Sequence, residues 1–263
     1  MNSAICITFA ECVENHIGNQ QIGEKCENGW SVNKLKNLKR KLDESNNVNT
    51  SLVDLNKLLI GGQYEECGDE ACVLVIKNCV DGVFGIDSKH CFEHLKTLEW
   101  DKKYYDTRRK KVLNKNARWN LCFCDSEQEA DYENGKGTVH TFETAKMQKL
   151  KTKIESMMSG KAQNMEKLNA EGNYYYNVKK CGIGMHGDTE RRKVFGVNLG
   201  DCQRHLVFQW YKNSKSVSDK VIIELEHGDC YIMSDKAVGF DWKKRSKLTL
   251  RHGAGIENSK YIQ

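Results

Sequence analysis

His186 and Asp188 are separated by a single glycine and follow a stretch punctuated by Gly182 and Gly184. In extended chain successive side chains alternate, so residues i and i+2 project to the same side. An imidazole and a carboxylate placed in that way form a two-ligand clamp. A second histidine from a distant strand would complete the facial triad that leaves open positions on ferrous iron. The plain alternative is a surface turn, because so short a pattern recurs by chance. Arg245 and Arg251 form a second constellation, whose even spacing, with Thr249 between, puts both guanidiniums on one face of a strand. Such a pair would grip the carboxylates of a small diacid through bidentate forks. Its plain alternative is a charged strand edge that resists aggregation.

Strands must hold these residues in place. From Asn173 onward, short alternating segments are separated by Gly, Asp and Asn, and six strands are predicted over 174–178, 193–199, 206–211, 220–225, 230–233 and 247–251. That spacing suits a barrel or jelly roll. The first third reads instead as short helices around one buried strand. Ser31 caps a run in which Leu35, Leu38 and Leu42 share a face, and Leu55, Leu58 and Leu59 mark a second helical stretch. A continuous apolar strand over 71–76 and a helix over 88–98 follow. A later helix carries Met147, Leu150, Ile154 and Met157 along one side, as a core stripe would. The expected fold class is α+β, mainly β, with residues 1–139 as an N-terminal helical extension and substrate lid and 140–263 as the β core.

Residues 102–118 are the densest positive segment, with Lys102, Lys103, Arg108, Arg109, Lys110, Lys111, Lys115 and Arg118 against Asp106. Tyr104, Tyr105 and Trp119 are interleaved or adjacent. Basic charge with aromatics suits phosphate neutralisation and base stacking, and a solvated helix face fits the segment equally well. Across the whole chain Lys plus Arg number 41 against 36 Asp plus Glu, an excess too small to demand a polyanionic partner. No apolar run approaches the roughly 18 residues that span a bilayer. The apolar stretch from Ala4 to Val13 has no basic residue before it and is interrupted by Glu11, so it reads as part of the fold rather than as a signal peptide. Twelve cysteines without a CxxC pair read as reduced, buried thiols of a cytosolic or nuclear protein. Cys122 with Cys124, or Cys91 with His90 and His94, lack the second half of a zinc site. Proline is absent, so turns must rest on Gly, Asn and Asp.

Several pieces fall in one order: His186-Gly-Asp188-Thr-Glu190, the strand Val194 to Gly200 ending in Leu-Gly, Phe208-Gln209-Trp210, Leu225-Glu-His-Gly-Asp229, and Arg245-Ser-Lys-Leu-Thr-Leu-Arg251. Together they resemble the AlkB-type family of iron(II)- and 2-oxoglutarate-dependent dioxygenases over residues 140–255, in a divergent branch of the kind that large DNA viruses and some protists carry. The resemblance implies a double-stranded β-helix whose mouth holds iron(II) and 2-oxoglutarate and oxidises a methyl carbon. A methyl on nitrogen is then lost as formaldehyde. By the same resemblance Tyr176 would hydrogen-bond 2-oxoglutarate, Arg245 and Arg251 would grip it, and Glu190 would read the edge of the substrate base.

The chain departs from the family between Asp229 and Arg245, where no histidine stands for the third metal ligand. The candidates are His252, His227, His205 and Asp241. His252 is preferred, giving His186, Asp188 and His252 as catalytic metal ligands. As the neighbour of Arg251 it should face the opposite way in a regular strand, and a bulge at His252-Gly253 would turn it inward. In an alternative register Lys260 takes over the 2-oxoglutarate grip. The implied activity is oxidative demethylation of N-alkylated bases in nucleic acid, on single strands or flipped bases because the target must leave the stack. Arg108, Arg109 and Trp119 would then contact the strand. Two rivals stand beside this reading: the same chemistry directed at a protein side chain or small molecule, and a non-catalytic jelly roll that binds nucleic acid or protein through the basic surface.

Overall fold

The computed structural model describes residues 2–45, 48–60, 63, 67–159, 166–257 and 259–262. In chain order the strands are β1 (Ala4–Ala10), β2 (Cys12–Glu14), β3 (Gln21–Gly23), β4 (Thr50–Asp54), β5 (Cys72–Ile76), β6 (Lys103–Asp106), β7 (Lys111–Asn114), β8 (Trp119–Cys124) and β9 (Val139–Thr141), followed by β10 (Asn169–Tyr175), β11 (Ile183–His186), β12 (Val194–Gly200), β13 (Arg204–Lys212), β14 (Lys215–Ser216), β15 (Val221–Leu225), β16 (Cys230–Met233) and β17 (Thr249–Gly255). With a few helices beside them, they make the protein mainly β. Eight strands form a large sheet in the order β4-β5-β16-β12-β1-β10-β8-β9, and a smaller sheet runs β11-β17-β13-β14 with β15 also paired to β13. All of these pairings are antiparallel except β8 with β9.

Alternation along β1 explains the layers. Ile5, Ile7 and Phe9 face a core shared with Leu35, Phe92, Leu95, Leu150 and Ile154, which lie on the helices Val32–Asp43, Ser88–Thr97 and Gln148–Ser159. Ala4 and Cys6 face the opposite way, into a core with Leu206, Phe208, Trp210 and Leu250 of the small sheet. Helices therefore cover one face of the large sheet and the small sheet covers the other. A strand buried on both faces must be apolar throughout, and Ala4–Ala10 is buried at every position. The expected caps are present: Ser31 Oγ accepts from Lys34 N at 3.2 Å, and the Asp87 carboxylate accepts from His90 N at 2.8 Å.

Two expectations need correction. The first 139 residues are not a separate helical extension, because β1 lies between β10 and β12 in the large sheet and β5 pairs with β16. The expected boundary also cuts through β9, which is paired to β8. Pairing across so many residues leaves no local trace in sequence, so helical periodicity nearby dominated the reading. Residues 102–118 do not form a helix face either. They build the hairpin β6–β7, closed where Asp106 accepts from Arg109 N at 2.7 Å. No helix among the described residues is long and apolar enough to cross a membrane.

Candidate metal centre

His186 ends β11 and stands opposite His252 in the register with β17. Asp188 follows two residues on, its N–H donating to the Val238 carbonyl at 3.1 Å. A Cβ on the intervening Gly187 would collide with the Gly239 carbonyl oxygen and lie 2.8 Å from Trp242 Cδ1, so the glycine is what lets the two ligands bend around this point. His186 Nε2 lies 3.4 Å and His252 Nε2 3.6 Å from Asp188 Oδ1, with the imidazole centroids 4.6 Å apart. One ligand atom from each residue lies within 4.8 Å of the others, the one such group of three or more among the described residues. Adjacent ligands around an octahedral ion with bonds of about 2.1 Å lie about 3 Å apart, so the two nitrogens and the carboxylate fit a divalent first-row metal with little movement.

The tautomer of His186 is set from behind: its Nδ1 is 2.8 Å from the Gly184 carbonyl, so Nδ1 carries the proton and Nε2 offers a lone pair. His252 Nδ1 is buried without a partner. Burial works against a charged imidazole at both histidines. At His186 the Asp188 hydrogen bond outweighs burial and the pKa rises, whereas at His252 burial wins and the pKa falls. Burial would also raise the Asp188 carboxyl, but Arg191 and the two imidazoles hold it well below the usual range. Arg191 is itself buried, with Nη2 2.6 Å from both Glu171 Oε2 and Glu190 Oε1 and Nε 3.5 Å from Asp188 Oδ2.

The cluster opens into a cavity of about 470 Å³ between the sheets, whose walls include Tyr175, Glu190, Arg204, Tyr231 and Trp242. Most of the other expected site residues lie elsewhere. Tyr176 falls on the wrong side of the alternation that points Tyr175 inward. Its ring stacks on Trp119 at 4.2 Å, and its hydroxyl donates to the Asn116 carbonyl at 3.0 Å. Arg245 is exposed in the turn before β17, so the two arginines do not share a strand. Arg251 sits on the outer face of the small sheet, its guanidinium 4.2 Å from the Tyr211 ring. His252 faces inward by ordinary alternation with Leu250 and Ala254, and the register irregularity lies in β11 instead of at His252-Gly253. Lys260 lies against Tyr261 and does not line the cavity. His227 is used structurally, between Ser88 Oγ and Gly200 N, and Asp241 pairs with Lys236. Glu190 lines the cavity with its carboxylate committed to Arg191. Arg108 and Arg109 are exposed at the hairpin tip, and Trp119 packs under Lys102 at 4.5 Å.

An uncharacterized protein of Acanthamoeba polyphaga mimivirus is 40% identical to this chain over 258 residues, covering 98% of this chain and 97% of its own length. The chain belongs to the family of that viral protein. No family model matches it. The family likeness spans nearly the whole chain, so both sheets fall within it.

Sequence reasoning missed Arg191, Glu171 and Arg204. Arg204 did leave a signal, because it heads the alternation Leu206, Phe208, Trp210 and must share their inward face. Glu171, Asn173 and Tyr175 share the cavity face of β10 by the same rule, but the strand was expected to begin only at Tyr174.

Proposed function

We propose that the protein is an iron(II)- and 2-oxoglutarate-dependent dioxygenase of the AlkB type that demethylates N-alkylated bases in nucleic acid. The observation that carries this reading is the convergence of His186, Asp188 and His252, from strands far apart in sequence, at the wall of one cavity. The sheets favour a double-stranded β-helix, since β10-β1-β12-β16 faces β11-β17-β13-β15, four antiparallel strands against four. In this arrangement a strand from the N-terminus closes the core.

Iron(II) with 2-oxoglutarate and oxygen would supply insertion of oxygen into a C–H bond, and a hydroxylated N-methyl group breaks down to formaldehyde. The chain's own residues do the positioning. The Gly184 carbonyl holds His186 with Nε2 toward the centre, and Arg191 takes Asp188 Oδ2 so that Oδ1 faces the histidines. The two ligand histidines are fixed against each other by strand pairing. At the mouth His16 lines the cavity and lies against Tyr104 of the basic hairpin, the ring centroids 3.7 Å apart and the planes tilted by 36°. Burial beside Lys115 and Arg118 pushes His16 down to about 4, so at neutral pH it is an uncharged aromatic surface. A neutral ring against a hairpin whose residues Arg108, Arg109, Lys110 and Lys111 are exposed suits an extruded base and its phosphates.

The test is incubation with iron(II), ascorbate, 2-oxoglutarate and oligonucleotides bearing 1-methyladenine or 3-methylcytosine. Formaldehyde and succinate are expected in equal amounts, and both should be lost in Asp188→Ala. Oxygen gained by a peptide or metabolite, with no loss of mass from any methylated DNA or RNA, would move the activity to the hydroxylase rival. An absence of iron-dependent succinate formation with every substrate would overturn the dioxygenase reading.

A further inference from the structure

Arg204 presents a buried charge that the protein does not neutralise. Its residue is 1% exposed, at the start of β13 on the cavity face. Nε donates to Asn198 Oδ1 at 2.9 Å, and the guanidinium lies 4.7 Å from the Tyr175 ring. Nη1 has no hydrogen-bond partner, and among the described residues no carboxylate pairs with this guanidinium. Arg191 and Lys236, similarly buried, are each held by carboxylates at 2.6 Å and 3.0 Å. Leaving a buried cation unpaired is costly, and a fork held ready for an anion is the arrangement that accounts for the expense.

The surroundings are built to orient the fork. Asn198 is itself fixed, its Nδ2 donating to the Glu226 carbonyl at 2.8 Å. Tyr231 and Cys6 close the other side, with Oη and Sγ 3.4 Å apart. Burial keeps both Tyr175 and Tyr231 above their ordinary titration range, so neither phenol serves as a counterion. Four residues along β13 from Arg204 stands Phe208, opposite His252 in the register, a strand distance of about 13 Å. The reach of the arginine side chain covers part of that distance, and the remainder calls for a ligand with an acidic group at each end.

We infer that Arg204 seats the distal carboxylate of a small 2-oxo diacid whose other end reaches the His186–Asp188–His252 cluster. Naming that acid as 2-oxoglutarate rests on the dioxygenase reading; the anion seat itself rests on Arg204. The seat lies on a different strand from the expected Arg245 and Arg251, neither of which lines the cavity.

The test loads the protein anaerobically with Mn(II) and compares 2-oxoglutarate with 2-oxopentanoate, which lacks the distal carboxylate, by calorimetry. The unmodified protein is expected to favour 2-oxoglutarate by about tenfold to a hundredfold, the value of charged hydrogen bonds to one carboxylate. Arg204→Met should erase that preference with Mn(II) affinity unchanged, and Arg204→Lys should keep only part of it. Equal binding of the two acids by the unmodified protein, or an undiminished preference in Arg204→Met or Arg204→Lys, would overturn the inference. If Arg204→Met does not fold, the two acids on the unmodified protein and Arg204→Lys decide. Metal-free protein is also melted with glutarate or butyrate. Protection by glutarate alone, without Mn(II) binding, would sustain the seat and remove the metal reading. Mn(II) binding with no distinction between the acids would do the reverse.

Discussion

Replacing Arg191 by methionine keeps most of the side-chain volume and removes a buried charge that three carboxylates share. The guanidinium sits 2.6 Å from Glu171 Oε2, 2.6 Å from Glu190 Oε1 and 3.5 Å from Asp188 Oδ2. Breaking a buried ion pair from one side costs about 3–5 kcal/mol, because the remaining charges stay buried without compensation. For a chain of this size that corresponds to a fall in Tm of about 6–20 °C. The loss depends on pH in a definite direction. Burial already holds the Glu190 carboxyl above its ordinary range despite Arg191, and without the cation it rises further, so the folded variant binds more protons there than the unfolded chain. Its stability is then greatest below the unfolded carboxylate range and declines as pH rises through the raised value. Urea melts at pH 5 and pH 8 should therefore show the larger defect at pH 8. Mn(II) affinity at neutral pH should fall about tenfold to a hundredfold, because Asp188 loses the group that orients it. A variant that melts like an ordinary surface substitution at both pH values, with unchanged Mn(II) affinity, would refute the assignment of Arg191 as the positioning residue of the cluster.

Alanine at Asp188 or His252 is expected to abolish stoichiometric Mn(II) binding in calorimetry, whereas Arg245→Ala, exposed in its turn, should leave it intact. Glu14 is pushed up to about 7 by burial and the nearby Glu190 charge. Its folded pKa exceeds its unfolded one, so the stability it contributes is full below about pH 4.5 and is lost as pH climbs through 7. Thermal melts of Glu14→Gln should thus show a smaller decline between pH 5 and pH 8 than the unmodified protein. Deleting residues 2–10 removes β1 from between β10 and β12 and leaves two unpaired edges inside the sheet. That protein should lose near-UV circular dichroism and cooperative unfolding, while a folded and cooperative truncation would show that the N-terminal strand is dispensable.

The later strands were legible because period-2 alternation is a local signal. The segment 230–233 is predicted with the bounds of β16, and 206–211 lies inside β13. The His186-Asp188 pair was legible from its spacing, although Asp188 stands beyond the end of β11 and is placed by the bend at Gly187 instead of by strand alternation. Arg245 and Arg251 show where that logic ends. Even spacing places two side chains on one face only if both belong to one strand, and Arg245 lies in the turn that precedes it. The position of β1 was not legible, because a fully buried strand shows only that it is apolar, not which partners it has.

By itself the sequence determined which residues could act as metal ligands, which segments alternate, and that the second half of the chain is strand-rich. Tertiary structure alone decided that His252 joins His186 and Asp188, that Arg191 compensates the carboxylates beside them, and that Arg204 is left with an unpaired fork in the same cavity. The physical reason is that side-chain direction follows from a few neighbouring residues, whereas charge compensation and ligand geometry depend on which distant strands are paired and in what register.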